Sequence, residues 1–323
     1  MIGAWSAFVR VISHREPGTP FALFRIGLGA TVLQTLGSTG GYGVVDALWI
    51  DKRFGGLGSR GEGTWLVQAL GGPSPDVVWP LFWAAVGSAL ALTVGLGGRW
   101  AALATLLAFT GLTDLNSSAG GSYDDLIENG LWLLFLAGPT ATLSVDARLR
   151  TGSFVSDRPV LAFGRYLAVF QLVLMYWTTG LQKVSTFWVP GGDASALYYI
   201  LQQPTWQRFD LRWVAWLYPV TQIGTTVSWF WEVSAPLWLL AFWFRATRTR
   251  AGTLRSWFNT LDVRLIYAAV GLIFHAALFV LMDVGPFSPA SLAYYFCLFS
   301  PDELAAAARS VGRARERMTL ETG

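Results

Sequence analysis

Three ionisable side chains stand where an apolar sequence has least use for them: Lys183, Glu232 and His275. As a cation, lysine offers three hydrogen-bond donors; once desolvated, it can give up its proton and act as a base. The chain has two lysines against 21 arginines. Arginine would anchor a helix end equally well but cannot lose its proton, so a lysine here is informative. Glu232 interrupts the apolar run SWFWEVSAPLWLL, and His275 lies within IFHAALFVL. Each group also has a plain structural use. Lys183 can snorkel from a helix end, Glu232 can hydrogen-bond a neighbouring helix, and His275 can be a satisfied packing residue. Spacing alone leaves these readings open.

Lys183 belongs to residues 171–199, QLVLMYWTTGLQKVSTFWVPGGDASALYY. The stretch begins as apolar helix through Tyr176 and Gly180, reaches Lys183, and passes Phe187 and Trp188 before a Pro-Gly-Gly break. The whole chain is similarly apolar. Its 323 residues are 53% hydrophobic and 13% charged, with mean hydropathy +0.45. Soluble domains carry about 25% charged residues. Several windows reach the ~20 apolar residues that cross a bilayer as a helix.

The expected fold is therefore an all-α integral membrane protein, a bundle of about eight transmembrane helices. The expected spans are residues 20–36, 77–96, 101–114, 126–141, 160–182, 225–244, 265–283 and 288–299. Fifteen basic residues fall on one side of this arrangement and only Lys52, Arg53, Arg60, Lys183, Arg208 and Arg212 on the other. Short loops rich in arginine stay inside, so both termini are expected in the cytoplasm and Lys183 faces outward. A pI near 9.1 thus reflects topology and not nucleic-acid binding. Residues 1–19 read as a short amphipathic segment without a cleavable signal, and residues 301–323 as a basic cytoplasmic tail touching anionic lipid. Arg25, near the inner end of the first span, is expected to snorkel. The single cysteine, Cys297, allows no intrachain disulfide.

On this reading Glu232 lies about seven residues inside the sixth span and His275 about eight inside the seventh, each roughly 10 Å deep. With Lys183 they share the outer half of the membrane and are expected to line one cavity. The apolar patches at residues 44–50, 65–70 and within 190–219 are too short to span and should lie as interfacial helices over the outer side. Asp124 and Asp125 open the fourth span beside Tyr123, where a helix dipole favours acids. No phosphate loop, dinucleotide fingerprint, G-x-S-x-G or His/Cys metal spacing is present.

Five stretches together resemble the HTTM (horizontally transferred transmembrane) domain, the membrane domain of vitamin K-dependent γ-glutamyl carboxylases and their bacterial relatives. They are PFALFRIGLGATVLQTL, GGSYDDLIENGLWLLFLAGPTATLSVDARL, residues 171–199 with Lys183 and Trp188 five residues on, SWFWEVSAPLWLL, and FHAALFVLMDVGPFSPASLAYY. The resemblance implies a multi-pass protein of the bacterial cytoplasmic membrane in a single domain, residues 1–323. It implies that Lys183 is the base for a reduced quinone of the vitamin K or menaquinol kind. By their depth in the spans Glu232 and His275 are the further catalytic candidates, Tyr176, Phe187, Trp188, Asp124 and Asp125 are the candidate pocket residues, and no metal is expected.

Three departures stand out. Residues 116–123 hold no histidine, Leu278 occupies the family's asparagine position three after His275, and no large extracytoplasmic domain follows the last span. Carboxylation of protein glutamates, the family's lyase chemistry, is therefore not expected. Shorter members resemble the membrane component of sporulation-delaying toxin maturation. The alternatives are thus a factor for maturing a secreted peptide, with that peptide or an accessory protein as partner, or a non-catalytic lipid- or quinone-binding protein.

Overall fold

The computed structural model describes residues 2–59 and 64–321; Arg60 lies outside them. Most of the chain is helix, and helix covers most of each expected span, although residues 160–161 are strand and residues 138–141 lie past a helix end. Three helices among the described residues are long and apolar enough to cross a membrane: Thr19–Gly41, Pro75–Val94 and Val263–Leu281. The others are shorter, as with the 16-residue Gly98–Thr113 and Ser122–Ala137, or less apolar. The expectation of an all-helical chain needs one correction. Arg15–Pro17 and Pro159–Leu161 form a two-stranded antiparallel sheet, pinned by Arg165 donating to Glu16 at 2.6 and 2.9 Å.

The chain packs as two compact units. One comprises Ile12–Tyr166 and Ala293–Gly323. Its helices Thr19–Gly41, Pro75–Val94, Gly98–Thr113 and Ser122–Ala137 pack in sequence order, each against the next. Gly29 makes the first crossing possible, because a side chain there would run into Thr93. Arg25 does not snorkel. It is fully buried and donates to the carbonyls of Leu143 (2.6 Å), Pro139 (3.3 Å) and Thr93 (3.5 Å). Those carbonyls lie at or beyond helix ends, where no intrahelical donor reaches them, and the guanidinium fork supplies several donors at once. The expected amphipathic segment and basic tail are both helical, at Ile2–Ser13 and Pro301–Glu321.

The other unit comprises Met1–Val11 and Leu167–Leu292, and it holds Lys183, Glu232 and His275. The expected sixth span is not continuous. It is two helices, Tyr218–Val233 and Pro236–Ala246. Pro236 has no N–H to give the preceding turn, so the ladder stops at Ser234 and restarts. The Tyr267 hydroxyl meets this break, 2.6 Å from the Ser234 hydroxyl and 3.0 Å from the Ser234 carbonyl, which also accepts from the Leu237 amide at 2.9 Å. The short apolar patches form the helix Ala196–Gln202 and the 3-10 turn Arg212–Leu217, packed through Leu201, Leu211 and Val214 onto Met282.

Candidate functional site

Gly180 determines where the site forms. It sits near the end of the helix Phe163–Gln182, three residues before Lys183, and lies directly against the end of Tyr218–Val233. A Cβ at position 180 would stand 2.8 Å from the Cβ of Glu232 and 2.8 Å from the amide nitrogen of Val233. Only a residue without a side chain allows this approach. The helix ends just beyond, and the Lys183 carbonyl accepts from the Trp229 indole at 3.1 Å. Both backbones are thus fixed on either side of the contact.

The Lys183 ammonium turns inward and bonds the Glu232 carboxylate. It also lies over the Trp188 ring, 4.5 Å from the centroid. The Glu232 side chain is 3% exposed and that of Lys183 17%. A snorkelling lysine would instead extend its ammonium to water, leaving the acid behind. Phe187 is exposed and packs at 5.6 Å on Tyr199 of the overlying helix, so aromatic faces continue outward from Trp188.

A second cluster lies seven residues back along the same helix. The Tyr176 hydroxyl and His275 Nε2 are 2.6 Å apart, and His275 Nδ1 is 3.4 Å from the Ser288 hydroxyl. Either neutral tautomer satisfies both bonds: Tyr176 donates to Nε2 and Nδ1–H to Ser288, or Nε2–H donates to Tyr176 and the Ser288 hydroxyl to Nδ1. His275 is fully buried among Phe274, Phe287 and Tyr176. Trp231, the neighbour of Glu232, joins the clusters; its ring lies 4.4 Å from that of Tyr176.

The structure therefore brings Lys183, Glu232 and Trp188 together, and it joins Tyr176 to His275. Sequence reading missed Gly180 as the crossing point, Trp229 as an anchor, and Ser288 as the second partner of His275. The Ser-Pro pair at 288–289 in a helix's first turn was the available signal for the last of these. Asp124 and Asp125 belong to the other unit. There Asp124 caps its helix, accepting from the Gly121 amide at 2.9 Å. Burial pushes its carboxyl up to about 6, against the pull of that bond and with help from Asp125 and Asp114.

Three helices of spanning length and composition, with an ion pair enclosed in apolar packing, mark a helical membrane protein. Residues 14–265 match the model of the HTTM domain, a domain linked to vitamin K-dependent carboxylase-type membrane proteins. The chain belongs to that family. No curated protein and no solved structure gives a significant match to it.

Proposed function

We propose that this protein is a multi-pass enzyme of the bacterial cytoplasmic membrane, both termini inside, that uses Lys183 to deprotonate a reduced quinone. The observation that carries the reading is the inward turn of the Lys183 ammonium onto buried Glu232 and the Trp188 face. Glu232 is the positioning residue. As an ion pair the two groups hold a cation on Lys183 and a basic oxygen on Glu232. Moving one proton from Nζ to Oε2 leaves a neutral amine able to accept a proton from a ring hydroxyl. A bound quinol would supply that hydroxyl, and its oxidation by oxygen would supply the driving force. Trp188, Phe187 and Tyr199 suit a flat apolar ring, which they can cover without hydrogen bonds of their own.

The test is quinol oxidation by the purified protein, followed optically, alongside mass spectrometry of whatever apolar molecule copurifies. Lys183→Arg keeps the charge and the contact with Glu232 but removes the base. It should lower turnover at least about a hundredfold while the protein remains folded. A fully active Lys183→Arg protein, or a wild-type protein that neither binds nor oxidises a quinol, would overturn the reading.

A further inference from the structure

Within the unit of Ile12–Tyr166 a cavity of about 610 Å³ opens at one end of the helix group. It lies where Pro75–Val94 ends, Gly98–Thr113 begins and Ser122–Ala137 ends. Four arginines line it: Arg15, Arg99, Arg150 and Arg158. All four are exposed, and among the described residues none forms an ion pair. The one carboxylate in the lining, Asp146, is engaged by the Gly97 amide at 3.1 Å. Arg150 donates to the Thr140 carbonyl at 2.6 Å and Arg15 to the Pro159 carbonyl at 3.4 Å, which holds these two guanidiniums in place. Four guanidiniums against one carboxylate leave the opening with an excess of positive charge that an entering anion would offset.

Two observations specify the anion. Pro75–Val94 is a helix of membrane-crossing length and composition, so its end, and with it the cavity, sits at the bilayer surface. The rim is also apolar and bare: Trp100 is 67% exposed and Leu136 60%, with Leu161 and Phe163 beside them. Free phosphate has no use for such a rim, whereas a lipid needs both parts. We propose that this cavity is a binding site for the phosphate of an anionic phospholipid, whose acyl chains lie along Trp100, Leu136 and Phe163. Guanidiniums grip phosphate oxygens through paired N–H donors, and basic pockets between helices at a membrane surface hold such headgroups. The site stands whatever chemistry Lys183 performs.

The full-length protein in neutral detergent can be titrated with phosphatidylglycerol, phosphatidylcholine and inorganic phosphate, reading unfolding temperature and bound lipid by native mass spectrometry. Phosphatidylglycerol should bind saturably and raise the unfolding temperature; phosphatidylcholine should not. Arg99→Gln with Arg158→Gln should weaken phosphatidylglycerol about thirtyfold, while Lys52→Gln with Arg212→Gln, exposed cations outside the cavity lining, should leave it unchanged. If the double variant does not fold, either single change should cost about fivefold. Wild-type affinity in the cavity variants overturns the site, as does loss of binding in the Lys52/Arg212 variant. Inorganic phosphate protecting as well as phosphatidylglycerol at equal concentration overturns the lipid assignment in favour of a free anion.

Discussion

Gly180 is in contact with the backbone that carries Glu232, so near that a single methyl group would stand 2.8 Å from the Glu232 Cβ. The ion pair beyond it depends on that closeness, because Lys183 follows less than one helical turn later. Gly180→Ala should force the two helices apart and cost about 1–3 kcal/mol, despite the better helix propensity of alanine. Thermal unfolding in detergent would measure it. An unfolding temperature equal to or above wild type would show that the crossing is loose and that the pair does not rely on it.

The pair itself should behave non-additively. Lys183→Met leaves Glu232 buried without its cation and should destabilise by about 3 kcal/mol. Adding Glu232→Leu should restore much of that loss, because two apolar side chains of similar size need no counter-charge. A double-mutant cycle with no coupling would mean that the contact contributes nothing to the fold.

Tyr176→Phe removes the hydroxyl that meets His275 and leaves a buried ring nitrogen without that partner. A loss of about 1–3 kcal/mol is expected, with little change in packing volume. Comparison of denaturation midpoints would test this. If the variant is as stable as wild type, the 2.6 Å contact is not carrying a buried polar group.

Asp124 gives a pH signature in the other unit. Its folded value of about 6 lies above the ordinary carboxylate value of 3.8, chiefly through burial. Between those values the folded state binds more protons than the unfolded one, so this group's effect makes stability fall as pH rises through that window. Asp124→Asn keeps an oxygen for the Gly121 amide but does not titrate. The wild type should therefore gain stability relative to this variant on acidification from pH 7 to about 4. A difference that stays flat across the window would contradict the burial-driven shift.

Hydropathy made most of the helices legible, and the short apolar patches at 44–50, 65–70 and within 190–219 announced the short helices found there. The break at Ser234 was less visible, since SWFWEVSAPLWLL reads as one apolar run and only Pro236 marks the stop. That break also corrects the depth argument. The helix carrying Glu232 starts at Tyr218 and not at Thr225, so Glu232 occupies its last turn and meets a lysine assigned to the mouth of another span. Arg25 was misread for a related reason. Residue type tells that an arginine must find partners, but the carbonyls it found come from positions 93, 139 and 143, far along the chain. Contacts of that range, like Lys183 to Glu232 across 49 residues, depend on how helices cross, and the decisive mark of the crossing was an absent side chain at 180.

The interruption at Ser234 has an electrostatic effect of its own. A helix that ran through would keep its terminal carbonyls at the membrane surface, where water would mute them. Stopping at Val233 places the carbonyl end of Tyr218–Val233, equivalent to roughly half a negative charge, inside the apolar packing in the same turn that presents Glu232. The amide end of Pro236–Ala246, of opposite sign, abuts it across Ser234 and Ala235, so the full charge that the Lys183 ammonium meets there is the Glu232 carboxylate.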